Sequence, residues 1–372
     1  MAQYHSLLPQ QKAFLPSGDE ARIAPLKKDT APTPATLYFG GGTPGLFPAS
    51  AFAPLIAEIQ KDFALQEVTL ETNPFTNRPN FFKDYKSVGI HRVTLGVQSL
   101  CSQALVFLGR KHTAQDVERN IKGLRDAGIT NIQVDLIYGL KPGTRTTLLH
   151  EEIRTLLLWG ATGISAYALT LEEQTLFAKN PAFAHEETAS NEYLEILETC
   201  QEFGLVQWET SNFSLTPPLH NSLYWHGKPY FGLGTGAHGL LPAAAQTPYG
   251  QRYAVGPEKY EFHGLGDYKL GQNEDFVMQY EEPRTLLQMR EELFFTLLRT
   301  PEGIPLGVWD KMTHKVPCQD LLRISPKLAR AHQEGLISIE QGWQVAAKEK
   351  IRGDGWALEL LKTLESWEER LR

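Results

Sequence analysis

Between residues 35 and 215, short β-rich apolar runs alternate with segments that carry the apolar period of an amphipathic helix. This alternation implies strands that pair in parallel through right-handed crossovers. It predicts either an open doubly wound sheet or a partial barrel, and in both folds ligands bind at the carboxyl ends of the strands. The predicted strands are Ala35–Phe39, Val68–Glu71, Arg92–Val97, Ile132–Tyr138, Ile164–Leu169 and Val206–Ser211.

Helical patterns fill most of the intervals between these runs. Thr113 is a predicted N-cap, with Asp116 three residues later, and Gly128 ends the pattern. Gly204 likewise ends the last pattern. The predicted helices are Phe52–Phe63, Thr113–Ala127, Thr144–Trp159 and Ala189–Phe203.

The remaining segments differ in character from this repeat. Residues 1–34 contain five prolines and are expected to be irregular, and residues 216–281 are rich in Gly, Pro, Tyr and His with little periodicity. Residues 282–372 contain helical patterns around a strand-like run, Leu336–Val345, which predicts a small winged-helix-like α+β domain. The expected division is therefore 1–34, 35–215, 216–281 and 282–372, and the C-terminal helices are Pro283–Leu298, Pro326–Gly335 and Asp354–Leu371.

Composition limits the classes of partner. The net charge of −7 argues against binding nucleic acid by neutralising phosphates. The three cysteines, Cys101, Cys200 and Cys318, are far apart and odd in number, so a disulfide framework is not expected and each is expected to be a small buried hydrophobe. No apolar run is long enough to span a bilayer, and the N-terminus does not resemble a signal peptide. We therefore expect a cytoplasmic protein.

Polar groups follow the first two predicted strands. Gly41, Gly42 and Thr43 lie in a glycine loop that lets a backbone approach a carboxylate, an amine or a phosphate, although three glycines are more often only a tight turn. Glu71 precedes an Asn-Pro turn and either accepts hydrogen bonds from ligand hydroxyls or is a solvated turn acid.

The third and fourth strands add three more candidates. Gln98 ends an apolar segment, and Arg110 follows it as either a ligand contact or an ordinary surface charge. Asp135 interrupts a buried-looking run, and an unpaired buried carboxylate costs several kcal/mol, so it requires a ligand or a partner such as Arg110. Because these groups follow successive strands, we expect them to converge on one small-molecule site.

These motifs resemble, in order and spacing, the radical-AdoMet family that contains oxygen-independent coproporphyrinogen oxidase and HemW. The resemblance covers about residue 35 to the end. It implies a three-quarter (β/α)6 TIM-like barrel in which Gly41, Gly42 and Thr43 hold the methionyl part of S-adenosyl-L-methionine (AdoMet). By the same resemblance, the ribose and carboxylate of AdoMet are contacted by Glu71, Gln98, Arg110 and Asp135. The motifs are Tyr38–Pro44, Glu71–Pro74, Gly96–Ser99, Gly109–Arg110 and Asp135–Leu140.

One further motif favours the HemW branch. His220-Asn-Ser-Leu-Tyr224-Trp225 matches the His-Asn-x-x-Tyr-Trp pattern of HemW, which implies haem binding with His220 as the candidate iron ligand. Tyr224 and Trp225 would pack against the porphyrin. The alternative is that His220 caps a turn and both aromatic residues belong to the core.

The sequence departs from the family at its start. The family has a Cys-x3-Cys-x2-Cys loop whose three thiolates hold a [4Fe–4S] cluster, whereas no cysteine precedes Cys101 here. The barrel is accordingly expected to lack its first strand. Either the start is misassigned and the cysteines lie upstream, which we favour because a missing strand exposes a sheet edge, or the protein is a degenerate paralogue. As written, the chain is not expected to bind the cluster or to generate the 5′-deoxyadenosyl radical.

The resemblance implies a haem chaperone that binds haem and passes it to an acceptor protein, with membrane-associated acceptors among the candidates. Two alternatives stay open. The first is a radical-AdoMet enzyme of porphyrin biosynthesis similar to coproporphyrinogen III oxidase, which requires upstream cysteines. The second is a non-catalytic barrel that binds AdoMet. No catalytic residue is assigned.

Overall fold

A computed structural model of the chain describes residues 33–74, 81–171, 185–234, 236–257 and 276–370. The expected irregular segment at residues 1–34 lies almost entirely outside the described residues. The chain divides into two compact units, residues 1–220 and 221–372.

The first unit contains a curled seven-stranded sheet with the order β1-β2-β3-β4-β5-β7-β6. Strands β1 to β5 pair in parallel in chain order, which confirms the predicted partial barrel. The strands are β1 Thr33–Phe39, β2 Phe63–Thr72, β3 Arg92–Gln98, β4 Asn131–Tyr138, β5 Gly163–Ala168, β6 Val206–Gln207 and β7 Asn212–Ser214.

The predicted strand Val206–Ser211 is correct only over its first two residues. The chain forms two very short strands here, β6 and β7, which pair antiparallel with each other, and β7 also pairs antiparallel with β5. A turn at residues 208–211 reverses the chain, so the sixth unit of the repeat closes the sheet by a hairpin rather than by another crossover.

Helices connect the strands close to their predicted positions. Thr113 caps its helix through a capping box with Asp116, as predicted. Two helices are shorter than predicted. The helix predicted at Thr144–Trp159 starts later, because residues 144–148 form a turn and loop, and the helix predicted at Phe52–Phe63 ends earlier, because Phe63 already belongs to β2. The helices of this unit are α1 Ala53–Ile59, α2 Phe81–Ser87, α3 Ser102–Phe107, α4 Ala114–Asp126, α5 Leu149–Trp159 and α6 Glu186–Glu202, and α7 Leu219–Trp225 begins at its end.

The strands carry different chemistry on their two faces. Val68, Leu70, Val93, Leu95, Val134 and Leu136 are buried apolar residues on one face. Side chains alternate along a strand, so the positions between them share the opposite face. That face carries Glu67, Thr69, Glu71, Arg92, Thr94, Gln133 and Asp135. The sheet therefore has a polar inner face, which the candidate site uses.

The second unit begins with an antiparallel sheet of β8 His238–Leu241, β9 Gln251–Pro257 and β10 Phe276–Tyr280. The sequence showed little periodicity here, and these strands were not predicted. A C-terminal part follows, with its own buried core around Trp309 and Phe294. It contains α8 Leu286–Leu297, β11 Ile304–Pro305, α9 Leu306–Thr313, α10 Cys318–Ile324, α11 Pro326–Gln333, β12 Ile337–Ser338, β13 Gly342–Val345 and α12 Gly353–Arg370.

This C-terminal part has the element order of a winged-helix-like domain, with an antiparallel sheet in the order β11-β13-β12. The strand-like run Leu336–Val345 is a hairpin of two short strands, because Gly342 takes a positive φ of 115° at the start of β13. In the described ranges, no helix is both long and apolar enough to cross a membrane.

Candidate functional site

The glycine loop follows β1 and is open on one side. Gly41 and Gly42 have φ values of 77° and 57°, a region that side-chain-bearing residues rarely adopt. A Cβ atom built on either residue would meet no atom within 4 Å. Gly40 is different, because its Cβ would lie 2.9 Å from the ring of Tyr38 and 3.3 Å from the carboxyl carbon of Glu71. The loop thus packs closely against the sheet at Gly40 and leaves space beside its next two residues.

Glu71 is held near the end of β2 by two donors. The hydroxyl of Tyr38 donates to Oε1 at 2.8 Å, and the backbone N–H of Gly41 donates to Oε2 at 3.1 Å. Burial, reinforced by the negative charge of Glu71, raises the pKa of Tyr38 well above its ordinary range, so its hydroxyl stays protonated as a donor. A carboxylate offers about four acceptor positions, so Glu71 keeps capacity for ligand hydroxyls.

The glycine loop, Glu71 and the end of β3 lie along one edge of the sheet, which we call the rim. Asn73 donates from Nδ2 to the hydroxyl of Thr43 at 3.3 Å. A Cβ on Gly96 would lie 2.7 Å from Oδ1 of Asn73 and 3.2 Å from Nε2 of Gln98. Glycine at position 96 therefore allows these two amide side chains to approach each other closely.

Gln98 has an unusual backbone at the end of β3. Its φ is 68°, and the β3–β4 register shifts between Leu95 and Gln98. A residue other than glycine in this region costs roughly 1–3 kcal/mol and is retained where the surroundings hold it. The next two residues are held firmly, because Glu152 accepts the Ser99 hydroxyl at 2.9 Å and the Leu100 N–H at 2.7 Å.

Glu152 belongs to a buried charge network behind the rim. Arg145 lies 3.3 Å from Glu152 and 2.9 Å from Glu192, and its side chain is 5% exposed. Glu192 also accepts the N–H of Gly139 at 2.6 Å, just past the end of β4. This network therefore fixes the backbone after β3 and after β4 at the same edge of the sheet.

Asp135 lies on the inner face of β4, opposite Ser165 of β5 in the strand register. Its Oδ1 is out of contact with solvent and has no hydrogen-bond partner in the part of the chain that the structure describes. Burial, with a smaller contribution from the charge of Glu71, raises the pKa of Asp135 to about 7, although the Ser165 hydroxyl and the charge of Arg92 oppose this shift. An unsatisfied buried oxygen of this kind is suited to a ligand donor.

The structure does not pair Asp135 with Arg110. The described residues contain no ion pair within 4 Å between them, although the positive charge of Arg110 acts on Asp135 over a longer distance. Arg110 follows α3, where its N–H donates to the carbonyl of Leu105 at 2.8 Å, and its side chain is half-buried. The partner that we expected for Asp135 within the protein is therefore not supplied by Arg110.

His220 lies on the same inner face as Glu71. Its Nδ1 is 2.8 Å from the hydroxyl of Thr36, and its ring stacks on Tyr38 with centroids 5.1 Å apart. Glu67 accepts the N–H of His220 at 3.1 Å. Burial lowers the pKa of His220 to about 4, so its imidazole is neutral at physiological pH. His220 thus lies in the first turn of α7 with its ring against β1.

Three residues at the site were not singled out by their sequence positions. Thr36 and Tyr38 are two apart on β1, and Glu67 precedes Glu71 by four residues on β2. The period-2 alternation of a strand places each of them on the inner face with the predicted candidates. This alternation is the sequence signal that could have identified these three residues as part of the site.

The cysteines do not fit a [4Fe–4S] cluster. Cys101, Cys200 and Cys318 are buried free thiols, and the described parts of the chain contain no group of three His, Cys, Asp or Glu side chains that could hold a metal. Burial raises the pKa of Cys200 to about 12 and that of Cys318 to about 11, which opposes the thiolate form that ligation requires. At Cys101 the effect of burial is outweighed by hydrogen bonds from Thr146, which lower the pKa to about 6, but among the described residues this thiol stands alone and cannot hold a cluster that needs three. No chemistry of a cluster is therefore assigned to these residues.

Comparison with known proteins agrees with this geometry. Residues 23–150 match the model of the radical SAM superfamily. The chain also resembles the structure of coproporphyrinogen III oxidase (HemN) from Escherichia coli, a radical SAM enzyme, with a TM-score of 0.62, 16% identity, and coverage of 89% of this chain and 78% of that one. At this identity the likeness concerns the fold alone.

Curated relatives are more similar in sequence. The heme chaperone HemW of Haemophilus influenzae is 34% identical over 215 residues, which is 55% of each chain. HemW of Bacillus subtilis is 28% identical over 77% of this chain and 76% of that protein. A mitochondrial radical S-adenosyl methionine domain-containing protein 1 of Danio rerio is 33% identical over 77% of this chain and 66% of that protein. The chain thus spans little more than half of the first of these relatives.

The curled sheet with its glycine loop, together with these matches, defines the class: the chain belongs to the radical SAM superfamily. Within that superfamily it is a HemW-type protein, as its sequence motifs predicted.

Proposed function

We propose that this protein is a HemW-like haem chaperone, which binds haem in the cytoplasm and passes it to an acceptor protein. The observation that carries the proposal is the position of His220, the first residue of the His-Asn-x-x-Tyr-Trp motif, at the start of α7 with a neutral imidazole. Neutral imidazole is the form that ligates haem iron. The similarity to HemW proteins of several bacteria supports the same assignment.

The surroundings of His220 suggest how it would bind iron. Because Nδ1 lies within hydrogen-bonding distance of Thr36, the proposal assigns the iron to Nε2. The helix α7 that carries His220 contains no buried residue. Leu223 and Tyr224 on this helix are more than a third exposed, and they offer apolar contact to a porphyrin.

The proposal also assigns AdoMet to the rim of the curled sheet. Gly41, Gly42 and Thr43 would hold its methionyl end, and Glu71, Gln98, Arg110 and Asp135 would contact its ribose and carboxylate. The open space beside the glycines and the unpartnered Oδ1 of Asp135 support this assignment. AdoMet supplies a 5′-deoxyadenosyl group when a cluster reduces it, but the proposal includes no such step because the cysteines present do not form a cluster site.

Haem titration tests the haem assignment. We expect the purified protein to give a Soret band of imidazole-ligated haem, and His220→Ala to lose that spectrum and at least about tenfold in affinity, which corresponds to about 1.4 kcal/mol. His226→Ala is the matched control, because this exposed histidine lies six residues on and, in the contacts described, its Nδ1 donates to the backbone carbonyl of Ser222 in the last turn of α7. Identical spectra and affinities for the wild type and His220→Ala would reject His220 as the iron ligand.

A further inference from the structure

Tyr38 contacts both proposed binding sites of the first unit. Its hydroxyl donates to Glu71 at 2.8 Å, and its ring stacks on the imidazole of His220 at an interplanar angle of 28°. The two contacts use different parts of one side chain. Tyr38 therefore joins the proposed ribose contact to the proposed iron ligand directly.

The residues around Tyr38 make this connection rigid. Thr36, two positions earlier on β1 and on the same face, is hydrogen-bonded to His220, and Glu71 is also fixed by the N–H of Gly41. The parallel register pairs Thr36 with Glu67 and Tyr38 with Thr69, so the strand cannot shift without breaking several bonds. A change at Glu71 is thus transmitted through side chains in contact rather than through solvent.

We propose that Tyr38 is a positioning residue that couples ligand binding at Glu71 to haem binding at His220, an inference that rests on the proposed function. Ribose hydroxyls that donate to the remaining acceptor positions of Glu71 share its negative charge with the Tyr38 hydroxyl, and so weaken the bond from Tyr38 to Oε1. When that bond weakens, the Tyr38 ring no longer holds the imidazole in its stacked position, and His220 becomes more available to iron. Nucleoside binding therefore raises haem affinity, and by thermodynamic linkage haem raises nucleoside affinity by the same factor.

The coupling is measured by titrating haem into the full chain with and without saturating AdoMet. We expect AdoMet to tighten haem binding by at least about fivefold, the lower end of typical coupling between sites. Tyr38→Phe keeps the ring that stacks on His220 and loses only the hydroxyl. For this variant we expect the ratio of haem affinities with and without AdoMet to be about one, within the scatter found for independent sites. Tyr193→Phe is the matched control, because it also removes a buried tyrosine hydroxyl, one bonded to Gln207, and we expect it to keep the wild-type ratio.

Two ligand fragments sharpen the test. Adenosine carries the ribose and should produce the coupling, whereas methionine should not, because it lacks the hydroxyls that donate to Glu71. In the absence of haem, NMR of the His220 ring should show a shift on adding AdoMet to the wild type and none in Tyr38→Phe. The wild-type measurements stand by themselves if Tyr38→Phe does not fold.

The outcomes separate the coupling from the proposed function. If AdoMet and haem each bind, yet haem affinity and the His220 resonances are the same with and without AdoMet, the coupling is overturned and the proposed function stands. If the coupling persists undiminished in Tyr38→Phe, the role of Tyr38 is overturned. If AdoMet does not bind, or His220→Ala binds haem like the wild type, the proposed function fails and the coupling fails with it.

Discussion

Glu67 holds the first turn of the helix that carries His220: its Oε1 accepts the N–H of His220 at 3.1 Å, and its Oε2 accepts the N–H of Leu219 at 3.0 Å. The two residues are separated by 153 positions in the chain, and Glu67 is 4% exposed. A carboxylate at a helix N-terminus satisfies backbone donors that have no partner within the helix. The position of His220 therefore depends on a buried carboxylate of β2.

Replacing Glu67 by alanine tests this dependence. Hydrogen bonds to a charged group each contribute roughly 1.5–3 kcal/mol, and Glu67→Ala removes two of them, so we expect it to lower the free energy of unfolding by roughly twice that amount and to weaken haem binding. Glu67→Gln keeps one oxygen acceptor and should lose about half as much. Chemical denaturation and haem titration of both variants provide the measurement, and equal stability of Glu67→Ala and the wild type would contradict the prediction.

Gln98 combines backbone strain with a proposed ligand role, and glycine separates the two. Glycine adopts the φ of 68° without the steric cost, so Gln98→Gly should raise the free energy of unfolding by about 1 kcal/mol. The same variant should bind AdoMet more weakly, because it loses the side chain. Thermal or chemical unfolding with AdoMet calorimetry distinguishes this outcome from a purely structural role, in which AdoMet affinity would not change.

Asp135 should destabilise the ligand-free protein as the pH rises. Its pKa is about 7 in the fold against an ordinary value of 3.8, so the folded state binds more protons than the unfolded state between these values. The free energy of unfolding therefore falls through this window as pH rises. We expect Asp135→Asn to be about 1–3 kcal/mol more stable than the wild type at pH 8, the cost of an unsatisfied buried group, with a smaller difference at pH 5.

Asp116 is a control, because its replacement by asparagine should change the free energy of unfolding in the opposite direction. Its carboxylate accepts from Thr113 in the capping box, and that bonding lowers its pKa. Asp116→Asn should therefore be less stable than the wild type at neutral pH. Denaturation curves of both asparagine variants at pH 5 and 8 make the comparison, and a wild type more stable than Asp135→Asn at pH 8 would contradict the account of Asp135.

Protonation of His220 changes the free energy of unfolding in the same pH range, but with the opposite dependence on pH. Its pKa is about 4 in the fold against an ordinary 6.5, so the unfolded state binds more protons between these values and stability falls as the pH falls. His220→Gln should flatten this loss. The effects of Asp135 and His220 partly offset each other in the wild type, so the difference between wild-type and variant stability profiles from pH 7 to 4 is the relevant measurement.

Local sequence signals located most of the fold. Apolar runs marked the parallel strands, and Thr113 with Asp116 marked a helix start because that capping depends on residues three apart. The hairpin of β6 and β7 and the sheet of β8 to β10 were missed, since such short antiparallel strands carry little alternation. The pairing of these strands is decided by contacts distant in sequence.

In the candidate site, too, local sequence indicated the positions of single residues but not the contacts between residues distant in the chain. The sequence placed Glu71 and Gln98 at strand ends and Asp135 inside an apolar strand run, and the structure has Glu71 and Gln98 at the ends of β2 and β3 and Asp135 within β4. It did not indicate that Tyr38 binds Glu71, or that Glu67 holds His220, because these bonds join residues 33 and 153 positions apart. Such partners follow only from the register of the sheet and the return of the chain to it.

Calorimetric titration of AdoMet into the full chain tests most directly whether the strand ends form one ligand site. We expect saturable binding in the wild type, and at least about tenfold weaker binding, or about 1.4 kcal/mol, in Glu71→Gln and in Asp135→Asn. Glu58→Gln, which alters a surface carboxylate paired with Lys61 on α1, should bind like the wild type. Absence of binding, or equal affinity of the two rim variants and the wild type, would contradict the account.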